Sequence, residues 1–209
     1  GHGLGVVPKV VIVKLTSGSG YDWGVYHASL GNTKNLRLNL TDAEATSTAF
    51  WNDTTPSSSL VTLGNNATVN GSGSTYIAYC FAEKQGYSSF GVYLGNGSTD
   101  GPFIYTGFKP AFIIVKNISD SSGASNTGGN WKMLDNARDT FNVASKVLLP
   151  DNSAAETSSA DHYTDFLSNG FKIRNTSNQM NQNAGSGYFY MAFAAAPLVG
   201  TNNIPANAR

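Results

Sequence analysis

Cysteine is almost absent from this chain. One residue of that kind, Cys80, stands among 209, so no disulfide can form within a single chain. Set in an apolar run, Cys80 is expected to pack as a small buried hydrophobe. Charge is scarce as well. Charged residues make up 12%, with 13 basic against 13 acidic, which removes the electrostatic footprint that nucleic acid or an anionic membrane demands. Only His2, His27 and His162 represent histidine, and none has a metal-ligand spacing, so neither a metal nor a cofactor is expected. No apolar run approaches the roughly 20 residues of a membrane span, and membrane insertion is not expected. The start, Gly1-His2-Gly3, has no signal-peptide pattern. A Gly-x-Ser-x-Gly elbow, a phosphate-cradling Gly-Lys loop and a calcium loop are all missing.

What is present is an internal repeat. Pro8-Lys-Val-Val-Ile-Val-Lys14 returns as Pro110-Ala-Phe-Ile-Ile-Val-Lys116, and Tyr76-Ile-Ala-Tyr-Cys-Phe-Ala82 returns as Tyr188-Phe-Tyr-Met-Ala-Phe-Ala194. Between them Asp22-Trp23 matches Asn130-Trp131, Glu44 matches Glu156, and Trp51 matches Tyr163. The offset grows from 102 (Pro8 to Pro110) to 108 (Trp23 to Trp131) and then 112 (Tyr76 to Tyr188). The second copy has therefore gained residues in two polar places, one being Gly123–Gly129. Loops lengthen in this way while apolar runs keep their spacing. The reading is a first β-domain over 1–84, an aromatic and Gly-rich connector over 85–108, and a second β-domain over 109–209. The connector is too rich in aromatics to be left in water, and it is expected to form strands packed between the repeats; a mobile tether is the alternative. Gly5–Pro8 aligns on Gly107–Pro110, the end of that connector. A longer parent with domains upstream is expected, and a cloning boundary is compatible with it.

Short apolar or alternating runs bounded by Gly, Asn, Ser and Asp predict strands. They cover Val10–Leu15, Leu36–Leu40, Val61–Leu63, Tyr76–Ala82, Phe90–Leu94, Phe103–Tyr105, Phe112–Lys116, Lys146–Leu149, Phe171–Arg174 and Tyr188–Ala194. Only Asp42–Thr46 and its counterpart Ala154–Thr157 are helix-prone. The pattern is all-β: two tandem antiparallel β-sandwich domains, jelly-roll or concanavalin-like, related by internal duplication.

The aromatics are the candidate binding residues. An indole or phenol held among Asn, Asp and Ser can stack on the apolar face of a sugar while amides and carboxylates bond its hydroxyls. The candidates are Trp51, Asn52 and Asp53; Tyr163 and Asp165; and Tyr21 with Asp22. Trp23 and Trp131 precede strands in matching positions and are read as core. Trp51 lies farther from any apolar run, and core and ligand surface both stay open for it. Asp135 and Asp139 could form a glycosidase pair, though turn capping is the simpler role. The Asn-x-Ser/Thr sequons at Asn39, Asn52, Asn66, Asn70, Asn96, Asn117 and Asn175 follow from composition.

Tyr76–Glu83, Gly86–Gly91, Gly95–Pro102, Phe103–Phe112, Asp135–Asn142 and the terminal Ile204-Pro-Ala-Asn-Ala-Arg209 together resemble a duplicated β-domain in tail-fibre-like structural proteins of marine bacteriophages. The resemblance covers almost the whole chain. It implies a β-sandwich, a homo-oligomer expected to be a trimer, and a place at the distal, host-contacting end of a longer virion protein. It brings no catalytic residues. The function expected is adhesion to a bacterial surface glycan or protein, with avidity from several copies. A purely architectural fibre or capsid-associated module and, last, a glycan depolymerase are the alternatives.

Overall fold

Val10-Val-Ile-Val, wholly β-branched, favours an extended backbone that can be covered on both faces. In the computed structural model, which describes residues 1–18, 20–119, 129–182 and 185–196, it lies in an interior strand of a sheet. The first compact unit is Gly1–Ala82. Its elements are β1 (Val10–Leu15), β2 (Gly24–His27), β3 (Lys34–Arg37), β4 (Ala45–Thr46), two short helices α1 (Thr48–Trp51) and α2 (Ala67–Asn70), and β5 (Tyr76–Phe81). The strands lie antiparallel in the order β4-β3-β2-β1-β5. One face, through Val11, Val13 and Tyr26, packs on Phe50, Trp51 and Val69 from the helices.

The second unit runs from Glu83. It holds β6 (Ser88–Leu94), β7 (Phe103–Tyr105), β8 (Phe112–Asn117), β9 (Trp131–Asp135), β10 (Lys146–Val147), β11 (Thr157–Ser158), a 3-10 turn at Ala160–His162, β12 (Thr164–Leu167), β13 (Gly170–Ile173) and β14 (Gly187–Phe193). One antiparallel sheet is ordered β6-β14-β8-β9 and another β12-β13-β7, with β10 and β11 as a pair. Ile113, Val115, Tyr188 and Tyr190 of the larger sheet share one core with Ile104, Phe166, Phe171 and Ile173 of the smaller. Phe171 meets Tyr190 edge-on, ring centres 5.5 Å apart. The protein is thus mostly β, built of antiparallel sheets. Residues 85–108, read as a connector, supply β6 and β7, and both strands pair inside the second unit.

The strand registers of the two units follow the sequence offsets. Val10 faces His27 and Val13 faces Gly24 across β1 and β2. Adding 102 to the first member and 108 to the second gives Phe112 facing Asp135 and Val115 facing Lys132 across β8 and β9. The pair Val10 and Phe81 of β1 and β5 maps in the same way, with offsets 102 and 112, onto Phe112 and Phe193. Val25 and Leu36 map onto the bridge between Met133 and Leu148, and Lys34 with Thr46 onto Lys146 with Ser158. Even the helix cap repeats: Ser47 accepts the backbone N–H of Ala49 ahead of α1, and Ser159 accepts that of Asp161 ahead of the 3-10 turn.

Some expectations fail for local reasons. Asp42–Thr46 and Ala154–Thr157 are not helical. Each ends in a two-residue strand held by β3 or β10, so pairing overrides the helix propensity of Ala and Glu. The strand expected over Leu36–Leu40 stops at Arg37, because Leu40 N–H turns back to the Arg37 carbonyl at 3.3 Å. Val61–Leu63 packs on the core as irregular backbone. Most of the Gly123–Gly129 insertion and the Ile204–Arg209 ending lie outside the described residues.

Candidate functional site

Trp51 is no ligand platform. It is 1% exposed, lies edge-on to Tyr26 with ring centres 5.6 Å apart, and donates its indole N–H to the Lys34 carbonyl at 2.9 Å. The reading of it as a stacking surface is corrected here: Ser47 caps α1, and the short turn that follows carries the ring inward. Its neighbours Asn52 and Asp53 do reach solvent. Both have left-handed backbone, with φ of 50° and 47°, a conformation Asn and Asp tolerate better than other side chains. They line a cleft of about 540 Å³ with Thr48, Asn65 and Asn70. The site is polar, and Trp51 leaves it without an aromatic floor.

The other expected residues lie elsewhere. Tyr21 is exposed, while Asp22 is tied to Asn39 at 2.9 Å and to Arg37 at 3.5 Å. In the second unit Tyr163 is 37% exposed and Asp165 pairs with Arg174 at 3.7 Å. The expected set is therefore divided among separate places in the fold. Asp135 and Asp139 are both engaged as caps. Burial would raise the Asp135 pKa, but hydrogen bonds from the Arg138 backbone and guanidinium outweigh it and hold the carboxyl below its ordinary range. Asp139 accepts the backbone N–H groups of Ser145 and Lys146 at 2.8 and 2.7 Å. Among the sequon asparagines, Asn117 and Asn175 are buried.

A second cleft, of about 440 Å³, lies in the second unit between Lys109, Asn136, Asp139, Thr140, Phe141, Asn142 and Phe166. Phe141 is 86% exposed, far more than packing of an aromatic ring would leave. The loop that carries it is the longer of an equivalent pair. Residues 28–33 join β2 to β3, whereas residues 136–145 join β9 to β10. The four added residues account for the rise in offset from 108 to 112. The loop is firmly anchored at its base. Asn142 accepts the Phe166 N–H at 2.9 Å and donates to the Phe166 carbonyl at 3.0 Å, and Arg138 reaches both Asp135 and Glu156. An exposed ring thus stands on a fixed base beside amides, a hydroxyl and the Lys109 cation, groups able to stack on and hydrogen-bond a hydroxyl-rich ligand. Sequence reading did not single out Phe141 as a binding residue; it lies there only within the Asp135–Asn142 segment of the resemblance, and the longer loop shows as the change of offset.

A buried polar set distinguishes the two units. In the first, Gly24 abuts Val69 and Phe50. The offsets carry those three positions onto Lys132, Asn181 and His162, all buried. His162 Nε2 lies 3.3 Å from Gln179 Oε1. Burial pulls the Lys132 pKa down to about 8 against the opposing pull of Asp151 and Asp161. Burial, with the Lys132 charge, also lowers that of His162.

Among the described residues no three or more His, Cys, Asp and Glu side chains gather as a metal site. No helix of those residues is long and apolar enough to cross a membrane. Fold and clefts together define an antiparallel all-β protein with polar surface sites on loops. Residues 1–197 match the model of a family described as a domain of unknown function, DUF7483, and the chain belongs to that family. No curated protein and no solved structure matches it.

Proposed function

We propose that this chain is a non-catalytic recognition module that binds a bacterial surface glycan through the Phe141 cleft. The setting is the one its resemblance implies: the host-facing end of a phage tail-fibre-like appendage, assembled as a homotrimer on the virion. The observation that carries the reading is Phe141, an aromatic side chain left in water on a loop extended relative to its counterpart. An addition that does not serve the core is where function concentrates in a β-scaffold. Weak contacts multiplied across copies would give useful avidity.

The proposal includes a history. Two copies of one β-unit arose by duplication, each finished as a sandwich of the jelly-roll or concanavalin-like type. The matched registers and caps support the duplication, and the shared core of two sheets in the second unit supports the sandwich.

A glycan array probed with the wild-type chain and with Phe141→Ala tests the function. Selective binding lost in the variant is the expected result. Binding that the variant retains removes the Phe141 cleft from the site, and an array with no hits for either protein favours the architectural module.

A further inference from the structure

β14 lies between two neighbours. Its odd-numbered residues bond to β8, as Ile118 N–H does to the Gly187 carbonyl at 3.0 Å. Its even-numbered ones face β6, and Gly95 N–H reaches the Ser186 carbonyl and Ala194 N–H the Tyr87 carbonyl, at 2.9 and 2.7 Å. β5 holds the same position in the first unit, since Thr16 N–H reaches the Thr75 carbonyl at 2.8 Å and the odd residues again face the inner neighbour. The backbone groups of Tyr76, Ala78 and Cys80 therefore point to the outer side. Among the described residues the sheet order ends there, at β5. Ala78 is exposed, and Ile77 and Tyr79 are 41% and 43% exposed.

Natural sheet edges are usually blunted by lysine, proline or a bulge. β5 is Tyr-Ile-Ala-Tyr-Cys-Phe, with none of the first two. Its counterpart shows what fits. Tyr188, Tyr190 and Ala192 of β14 face Tyr93, Gly91 and Ser89 of β6. Gly91 is small because a Cβ there would lie 2.9 Å from the Tyr190 ring. In β5 the place of Tyr190 is taken by Ala78, so the volume that the tyrosine ring fills in the second unit is vacated on the edge.

We propose that the outer edge of β5 docks an extended strand of another polypeptide, antiparallel, with the alternation of β6 and a bulky apolar residue opposite Ala78 where β6 has Gly91. Backbone ladder bonds to Tyr76, Ala78 and Cys80 supply the affinity, and the vacated volume supplies the choice of side chain, as in other strand-addition interfaces. The occupant is a strand, since the equivalent edge of the second unit is completed by one in matching register.

The test titrates the 209-residue chain with a peptide of residues 84–95 carrying Gly91→Leu, the unaltered peptide, and a Gly91→Pro peptide. Cys80, the single cysteine, reports on the edge through its rate of alkylation, and amide exchange at Tyr76, Ala78 and Cys80 reports independently. The leucine peptide is expected to suppress both, more strongly than the unaltered peptide, and the proline peptide to do neither. The exposed variant Ala78→Lys, with its melting curve unchanged, is expected to lose the protection. The proposal is overturned if no peptide protects the edge, if the glycine peptide protects better than the leucine one, or if the free chain is a dimer whose edge is already protected by a second copy.

Discussion

Asn39 and Asp22 clasp each other at 2.9 Å, Asn39 donating through Nδ2, while the Asn39 Oδ1 accepts the Trp23 N–H at 2.8 Å. In the second unit the two residue types have changed places. Asn130 donates to Asp151 at 2.9 Å, and Asp151 accepts the Trp131 N–H at 3.2 Å. Offsets of 108 and 112 carry Asp22 to Asn130 and Asn39 to Asp151. Either arrangement joins one carboxylate to one amide; two carboxylates would repel, and a charge so placed needs its donor. Asn39→Asp alone is therefore expected to cost about 1–3 kcal/mol. The double variant Asp22→Asn, Asn39→Asp is expected to recover most of it, less whatever Arg37 contributes to Asp22. Urea unfolding of the singles and the double measures this, and a double variant no better than Asn39→Asp would refute the exchange.

His27 should make the protein sensitive to mild acid. It is 1% exposed, and its Nδ1 accepts the Ser29 N–H at 3.0 Å, a bond that needs the ring nitrogen bare. Asp135, its counterpart, accepts the Ala137 N–H at 3.0 Å in the same way. Burial, helped by the Lys9 charge, lowers the His27 pKa from 6.5 to about 4. Between those values the unfolded chain binds a proton and the native one does not, so stability falls as pH drops from 6.5 towards 4. The loss is bounded at roughly 3 kcal/mol. His27→Asn keeps an acceptor for Ser29 and should flatten this stretch of a stability-against-pH curve; an unchanged slope would assign it to other groups.

The apolar runs made much of this fold legible. β1 and β7 fall on the residues expected, because β-branched and aromatic residues between turn formers have few other solutions. The repeat was legible as well, and its offsets carry the strand pairs of the first unit onto those of the second. Short strands escaped notice. Gly24–His27 and Thr164–Leu167 carry little alternation and are extended because their neighbours hold them. Trp51 misled because sequence neighbours are a poor guide to direction: Asn52 and Asp53 are polar, yet one turn of helix sends the ring to the core. Phe141 was hidden for the opposite reason, since an exposed aromatic in a loop leaves no periodic signal.

Trp51 and Tyr163 occupy equivalent positions and should respond differently to truncation. Trp51→Ala removes a fully packed indole and its bond to Lys34, for an expected loss of about 3–5 kcal/mol. Tyr163→Ala removes a partly exposed ring and is expected to stay within about 1 kcal/mol. Thermal and urea unfolding of both variants check the contrast, and equal losses would contradict the burial assigned to them.

Lys132 provides the converse pH test, in alkali. Its partner on β8 is Val115, and the equivalent position in the first unit is Gly24, where a Cβ would come within 2.8 Å of Val69. One unit thus closes this position with apolar contact, and the other admits a cation that burial disfavours. With the pKa lowered from 10.5 to about 8, the unfolded chain holds a proton that the native state has released across that interval. The contribution of Lys132 to stability is therefore expected to rise by up to roughly 3 kcal/mol as pH climbs from about 8 to about 10.5, against an opposing fall from Tyr26, Tyr93 and Tyr190, whose pKa values burial raises. Lys132→Met should remove the rise. A variant that keeps it would show that the buried ammonium is held at its ordinary pKa, with Asp151 and Asp161 offsetting the cost of its burial.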